Sequence, residues 1–199
     1  KGVEIEVVPE GLHGRARTIQ VHNAEVSSAS PGQRVAVNIA GIHHDELKRG
    51  SVIMPKGAIT PTSILDCSYS HLADSPEIED GARVRFLSGS TEALARITVI
   101  DGTSLQGGKQ QIIQLRTEKK VVLLPNDRFI LRRESPLQTL GGGKIIDPWS
   151  RRIRQKNKDS ALPPLRAIIN GDNGQLLSRR GRERKTEERQ RTLLHRGVE

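Results

Sequence analysis

The chain has 199 residues, room for one or two small domains, and with 34% hydrophobic but only 2% aromatic residues any core must be aliphatic. A single cysteine excludes a disulfide framework or a cysteine zinc site within the chain, and no run nears the roughly 18 apolar residues of a membrane span. The formal net charge of +9 is uneven: residues 1–149 carry 18 Lys+Arg against 17 Asp+Glu, whereas residues 150–199 carry 14 against 6.

Taken in chain order, the first 148 residues read as strands. VEIEVV (3–8), RARTIQVH (15–22), QRVAVNIA (33–40), SILDCSYS (63–70), ARVRFL (82–87), ALARITVI (93–100) and QIIQLRT (111–117) each alternate apolar with polar residues, the period of a half-buried strand. Turn chemistry separates them: Pro9-Glu10-Gly11, Ser30-Pro31-Gly32, Arg49-Gly50, Asp101-Gly102, Gly107-Gly108 and Pro125-Asn126-Asp127. One short stretch, HHDELKR (43–49), is helix-like. Short strands at this spacing predict an all-β sandwich or barrel. Two prolines and a glycine in MPKGAITP place a boundary near residues 55–62. The first group of strands is thin for a closed barrel, and Lys1 runs straight into a strand pattern, so the chain is expected to begin inside a domain and to leave an unpaired edge.

Beyond Pro148 the pattern changes. RRIRQKNKDSALPP is polar with a double proline, LRAIIN (165–170) suits one or two helical turns, and RRGRERKTEERQRTLLHR (179–196) has the charge density of a solvated helix. A basic tail points to a polyanion, most often nucleic acid, or else to a solvated and partly disordered end.

The candidate sites are few. Gly141-Gly142-Gly143-Lys144 suggests a phosphate loop, but a P-loop needs Ser or Thr after the lysine and then a helix, and here Ile145-Ile146-Asp147-Pro148 follows. Three glycines instead permit close backbone approach, at a strand crossing or against another molecule. His43-His44 with Asp45 and Glu46 lacks a third metal ligand at a motif spacing, and His13, His22, His71 and His195 stand singly, so no catalytic set is specified. Cys67 sits in an apolar alternation, as a buried inert thiol or, alternatively, a reactive one. Arg132-Arg133 precede the glycine-rich stretch, and guanidinium forks beside free amides suit phosphate oxygens. With Phe86, Phe129, Tyr69 and Trp149 as the only aromatics, nucleic acid would be gripped by its backbone rather than read by its bases. A plain basic barrel edge is the alternative.

At D-R-F-I-L-R-R-E-S-P-L-Q-T-L-G-G-G-K-I-I-D-P (127–148) the sequence resembles the last strands of the third domain of elongation factor Tu-like translational GTPases, most closely the selenocysteine-specific elongation factors. S-P-G-Q-R-V-A-V-N-I-A-G (30–41) with E-L-K-R-G-S-V-I (46–53) resembles the second half of the family's domain II. D-G-A-R-V-R-F (80–86), G-S-T-E-A-L-A-R-I (89–97) and L-Q-G-G-K-Q-Q-I-I-Q-L-R (105–116) resemble its domain III, with one extra serine in Gly89-Ser90-Thr91.

The resemblance implies an all-β chain of two consecutive small β-barrels: an incomplete domain II over 1–58, domain III over 59–148, and a basic linker or tail over 149–199. It implies no catalysis by this chain, since no P-loop, guanine-specificity motif or switch region occurs, and no cofactor on it. GTP and magnesium would belong to a preceding GTPase domain. The implied partners are selenocysteyl-tRNA, the ribosome and, through further C-terminal domains, a selenocysteine-insertion hairpin in mRNA. No membrane partner is implied. A monomer in the cytoplasm is the expectation, in keeping with the lack of a secretory h-region. Arg34, in G-Q-R-V, matches a family arginine lining the selenocysteyl pocket, where a guanidinium can pair with an anionic selenol. Arg132, Arg133, Gln138, Thr139, Gly141, Gly142 and Gly143 match the region that touches the tRNA acceptor and T-stem backbone. Another elongation factor Tu-like protein, such as a general factor or an initiation factor gamma subunit, and a β-barrel interaction module without an RNA role are the alternatives.

Overall fold

The alternating runs become antiparallel strands because each can turn one face inward and leave the other in water. The computed structural model describes residues 2–172 and Gly174, and resolves two units. The first comprises Lys1–Pro61 with Lys120–Val122, the second Thr62–Lys119 with Leu123–Glu199.

In the first unit, β1 (Glu4–Val8) pairs with both β2 (Leu12–Val21) and β5 (Val52–Pro55), while β2 also pairs with β3 (Ala24–Val26) and β4 (Val35–Ala40). His22 and Asn23, both at positive φ (52° and 63°), form the two-residue turn between β2 and β3, the conformation that matches strand twist. Ile5, Val7 and Ala16 bury one small core with Val37 and Ile39, and Val8, Met54 and Val122 a second. The helix-like stretch 43–49 shrinks to a 3-10 turn, His44–Glu46, with no buried residue; it has no apolar face to hold a longer helix. Glu46 accepts the His43 N–H at 2.7 Å and His44 pairs with Asp45.

The second unit is a closed barrel. Its wall follows the order β11 (Gln110–Val121), β6 (Thr62–His71), β13 (Gln138–Asp147), β12 (Arg128–Arg133), β8 (Arg83–Ser88) and β9 (Thr91–Val99). Two short strands, β7 (Ile78–Glu79) and β10 (Ser104–Leu105), pair outside it. The serine that departs from the family pattern, Ser90, is the second residue of the two-residue loop joining β8 to β9 between paired Ser88 and Thr91.

Leu65, Cys67, Tyr69, Phe86, Ile113 and Leu131 are wholly buried in this unit. Each of the leucine, isoleucine and phenylalanine side chains contributes about 1.5–3 kcal/mol by leaving water. Tyr69, Phe129 and Phe86 stack in series, with ring centroids 6.2 Å and 5.5 Å apart. Burial pushes the Cys67 thiol well above its ordinary range, and the neighbouring Asp66 charge adds to this, so the thiol is inert.

The segment after Pro148 holds more structure than its composition predicts. A 3-10 turn (Gln155–Asn157) leads into α1 (Lys158–Ile169), three turns rather than one or two. Leu165, with Leu162 and Ile168, packs on Ile100, Ile112 and Ile146 of the same unit. Pro163 and Pro164 lie inside α1 and remove two backbone donors, so this packing holds the helix rather than propensity. Nζ of Lys158, whose side chain is 8% exposed, reaches Asp80 at 3.0 Å, and Arg166 reaches Asp101 at 3.0 Å. The charged stretch 179–196 lies outside the described residues.

Candidate nucleic-acid interface

The β12–β13 hairpin gathers the arginines and the glycine triplet. Arg132 pairs with Thr139 and Arg133 with Gln138, and a bulge shifts the register before Leu131 meets Gly141. The extra residue at the bulge is Leu140, whose side chain is wholly buried. Glu134–Leu137 form the loop, with a cis Ser135–Pro136 bond. Arg133, Gln138 and Thr139 are exposed and Arg132 is half-buried.

Charge pairing around the hairpin is selective. Arg83 holds Glu118 through two bonds of 2.9 and 3.0 Å and reaches the loop's Glu134 at 3.4 Å. Arg85 pairs with Glu92. The hydrogen bond from Arg83 holds the Glu118 carboxyl below its ordinary range, and the same bond raises the arginine. These carboxylates are engaged, while Arg132 and Arg133 have no ion pair among the described residues. Arg132 Nε is buried without a hydrogen-bond partner. A buried guanidinium nitrogen without an acceptor is costly.

The glycines lie not in a turn but in the middle of β13, between β12 and β6. Gly141, Gly142 and Gly143 face Leu131, Ile130 and Phe129 on one side, and His71, Ser70 and Tyr69 on the other. A Cβ on Gly143 would lie 1.9 Å from the Ser68 carbonyl oxygen, and one on Gly142 would lie 2.8 Å from that of Phe129. The close approach foreseen for these residues is therefore to their own neighbours in the sheet. Gly141 is buried and the other two are half-buried, so the side chains around them form the accessible surface.

Arg34 lies in the other unit. It is exposed and immediately precedes β4, after a turn in which Ser30 and Gln33 bond to each other. One cleft of that unit is lined by Glu4, Ile5, His13, Arg15 and Lys56 among others, without Arg34. Two cations escaped the sequence reading as site residues: Arg128 and Lys144, exposed and directly opposite each other across β12 and β13. The alternation Arg128, Ile130, Arg132 along β12 was the available signal, since it sets all three on the outer face.

Residues 66–152 match the family described as the selenocysteine-specific elongation factor, beta-barrel domain. A selenocysteine-specific elongation factor from Desulfomicrobium baculatum is 36% identical over 159 residues, covering 79% of this chain and 25% of that protein. Elongation factor 1-alpha from Halobacterium salinarum is 26% identical, covering 73% of this chain and 39% of that protein. The fold is similar to a crystal structure of a bacterial selenocysteine-specific elongation factor, EF-Sec, with a TM-score of 0.73 and 22% identity over 90% of this chain and 28% of that one. The chain thus spans about a quarter of the length of the selenocysteine-specific relative. These likenesses agree: residues 66–152 belong to the beta-barrel domain family of selenocysteine-specific elongation factors, and the chain is similar to one such factor over 79% of its length.

Proposed function

We propose that this chain supplies the tRNA-gripping β-barrels of a selenocysteine-specific elongation factor, which delivers selenocysteyl-tRNA to the ribosome in a GTP-dependent way. The observation that carries the reading is the β12–β13 hairpin. Arg132 and Arg133, without ion-pair partners among the described residues, stand beside exposed Gln138 and Thr139. Such a surface suits the ribose-phosphate backbone of an RNA duplex. Gly141 to Gly143 shape this strand from within. GTP and magnesium belong to a part of the factor outside this chain, as does the contact with the mRNA hairpin. The setting is the cytoplasm, where translation takes place; no helix among the described residues is long and apolar enough to cross a membrane.

The test measures binding of selenocysteyl-tRNA, seryl-tRNA and a random RNA of equal length across a salt series. A tRNA preference with a steep salt slope supports the reading, and Arg132→Ala or Arg133→Ala should each lower the slope by about one. Equal weak binding of all three RNAs, unchanged in both variants, would refute it. The partial likeness to elongation factor 1-alpha favours a second reading, a general factor; equal tight binding of both aminoacyl-tRNAs would select that one.

A further inference from the structure

The outer face of the barrel carries a second, separate group of donors. Arg128, Lys144 and Ser68 stand opposite one another across β12, β13 and β6. Gln110 of the next strand, β11, donates to the Ser68 hydroxyl at 2.9 Å and extends the row to four strands. The row floors a cleft of about 530 Å³, closed on one side by the Pro125-Asn126 turn and on another by Ile168 and Ile169 at the end of α1. That volume lies within the range of small-ligand sites, about 300–1,000 Å³.

The charge of the cleft is the telling feature. No residue lining it carries a carboxylate. The nearby acids are turned to backbone amides, Asp127 accepting the Leu124 N–H at 2.7 Å and Asp172 the Gly174 N–H at 3.0 Å. Neither Arg128 nor Lys144 has an ion pair among the described residues. Like charges directly opposite in a ladder repel, so this pair lowers the stability of the empty barrel. A bound dianion would reverse the sign of that term. Hydroxyls of Ser68 and Ser70 and the amides of Gln110 and Asn126 add donors around the two cations. The isoleucine wall offers apolar contact to whatever the anion is attached to.

We propose that this cleft binds a nucleotide, its phosphate held between Arg128 and Lys144 with help from Ser68, and its ribose or base against Ile168 and Ile169. The phosphate can come from a free mononucleotide or from a nucleotide of an RNA strand. The site lies at the far end of β12 from Arg132 and Arg133, four residues along the strand and so about 13 Å away. It therefore stands or falls independently of the hairpin's role.

The experiment titrates the full chain with uridine, uridine 5′-monophosphate and a short oligouridylate. It compares Arg128→Gln/Lys144→Gln with Arg132→Gln/Arg133→Gln, which removes the same charge elsewhere. Both cations at the cleft are exposed, so thermal unfolding should confirm that the fold is retained. Uridine should not bind. Loss of mononucleotide affinity by tenfold or more in the cleft variant, with the hairpin variant unchanged, would establish a free-nucleotide site. A tenfold loss of oligouridylate affinity in the cleft variant, with no mononucleotide binding, would establish an RNA-strand site. The proposal is overturned if neither phosphorylated probe loses tenfold in the cleft variant, or if uridine binds as well as its monophosphate. The lysine-to-arginine variant Lys144→Arg should keep the affinity.

Discussion

The Tyr69 hydroxyl and Nδ1 of His71 lie 2.9 Å apart inside the barrel, and Nε2 of the same ring lies 2.9 Å from the Pro76 carbonyl. A carbonyl can only accept, so Nε2 carries the proton and Nδ1 receives the tyrosine hydroxyl. Burial raises the tyrosine's own ionisation well above its ordinary value, which keeps it a donor. Gly141 leaves the room: a Cβ there would come within 2.6 Å of the hydroxyl. The buried pair and the glycine triplet are one arrangement.

Tyr69→Phe leaves Nδ1 of His71 buried without a donor and should cost about 1–3 kcal/mol. Gly143→Ala drives a methyl into the Ser68 carbonyl and should cost about 3 kcal/mol through forced separation of β13 from β6. Urea unfolding measures both. A Gly143→Ala variant within about 0.5 kcal/mol of the parent would mean that the strands part freely, and would sink the close-approach account.

The helix after the barrel should come away on its own. Leu165→Ala removes the side chain that holds α1 to Ile100, Ile112 and Ile146, at a cost of about 2–5 kcal/mol to its docking. Lys158→Met should cost about 1 kcal/mol, because Asp80 keeps access to water after losing its partner. Hydrogen exchange should show protection lost over residues 158–169 in Leu165→Ala while β6 and β13 keep theirs. Uniform loss across the unit would show that helix and barrel unfold as one.

Acid should weaken the link between β8 and β11. The Glu118 carboxyl is held below its ordinary value of 4.5 by the Arg83 hydrogen bond. A carboxyl depressed in the folded state lends stability above its unfolded value, and that stability fades as pH falls through the folded one. Glu118→Gln should therefore be less stable than the parent at neutral pH and equal to it once the pH lies below the folded value. A stability gap between the two that persists in strong acid would contradict the ion pair as its source.

Arg34 tests the amino-acid end of the proposal. In a protein that includes the GTPase domain, Arg34→Ala should weaken selenocysteyl-tRNA binding far more than seryl-tRNA binding. A guanidinium gains most from the anionic selenol and little from a hydroxyl. Equal loss for both would remove Arg34 from the pocket.

Much of the barrel architecture was legible because its strands alternate strictly. Val84 and Phe86 point inward between outward Arg83, Arg85 and Leu87, and that period survives in the linear chain. What escaped was structure held by distant partners. Ala24–Val26 and Ser104–Leu105 are too short to show a period, and exist because β2 and β7 pair with them. The helix was hidden by Pro163-Pro164, which speak against it locally, while its support comes from Ile100, Ile112 and Ile146, far upstream. The glycines announced close approach but not to what. That required the register of β13 against β6 and β12. The pairing of Arg128 with Lys144 was illegible for the same reason, since sixteen positions of chain separate two residues that the ladder sets face to face.

The closure of the six-stranded wall has a further consequence. An open sheet frays from its outer strands, and one of them can slip by a residue at the cost of its own bonds alone. A ring offers no such starting point. A strand that slips in a ring breaks the bonds of two seams at once, so no strand of the wall shifts as cheaply as an edge strand would. Arg128 and the hairpin arginines share β12, so the strand's own extended backbone sets their spacing while the ring keeps Lys144 in register beside Arg128, like two marks on a ruler. Anything that engages both must arrive with that distance already built into it.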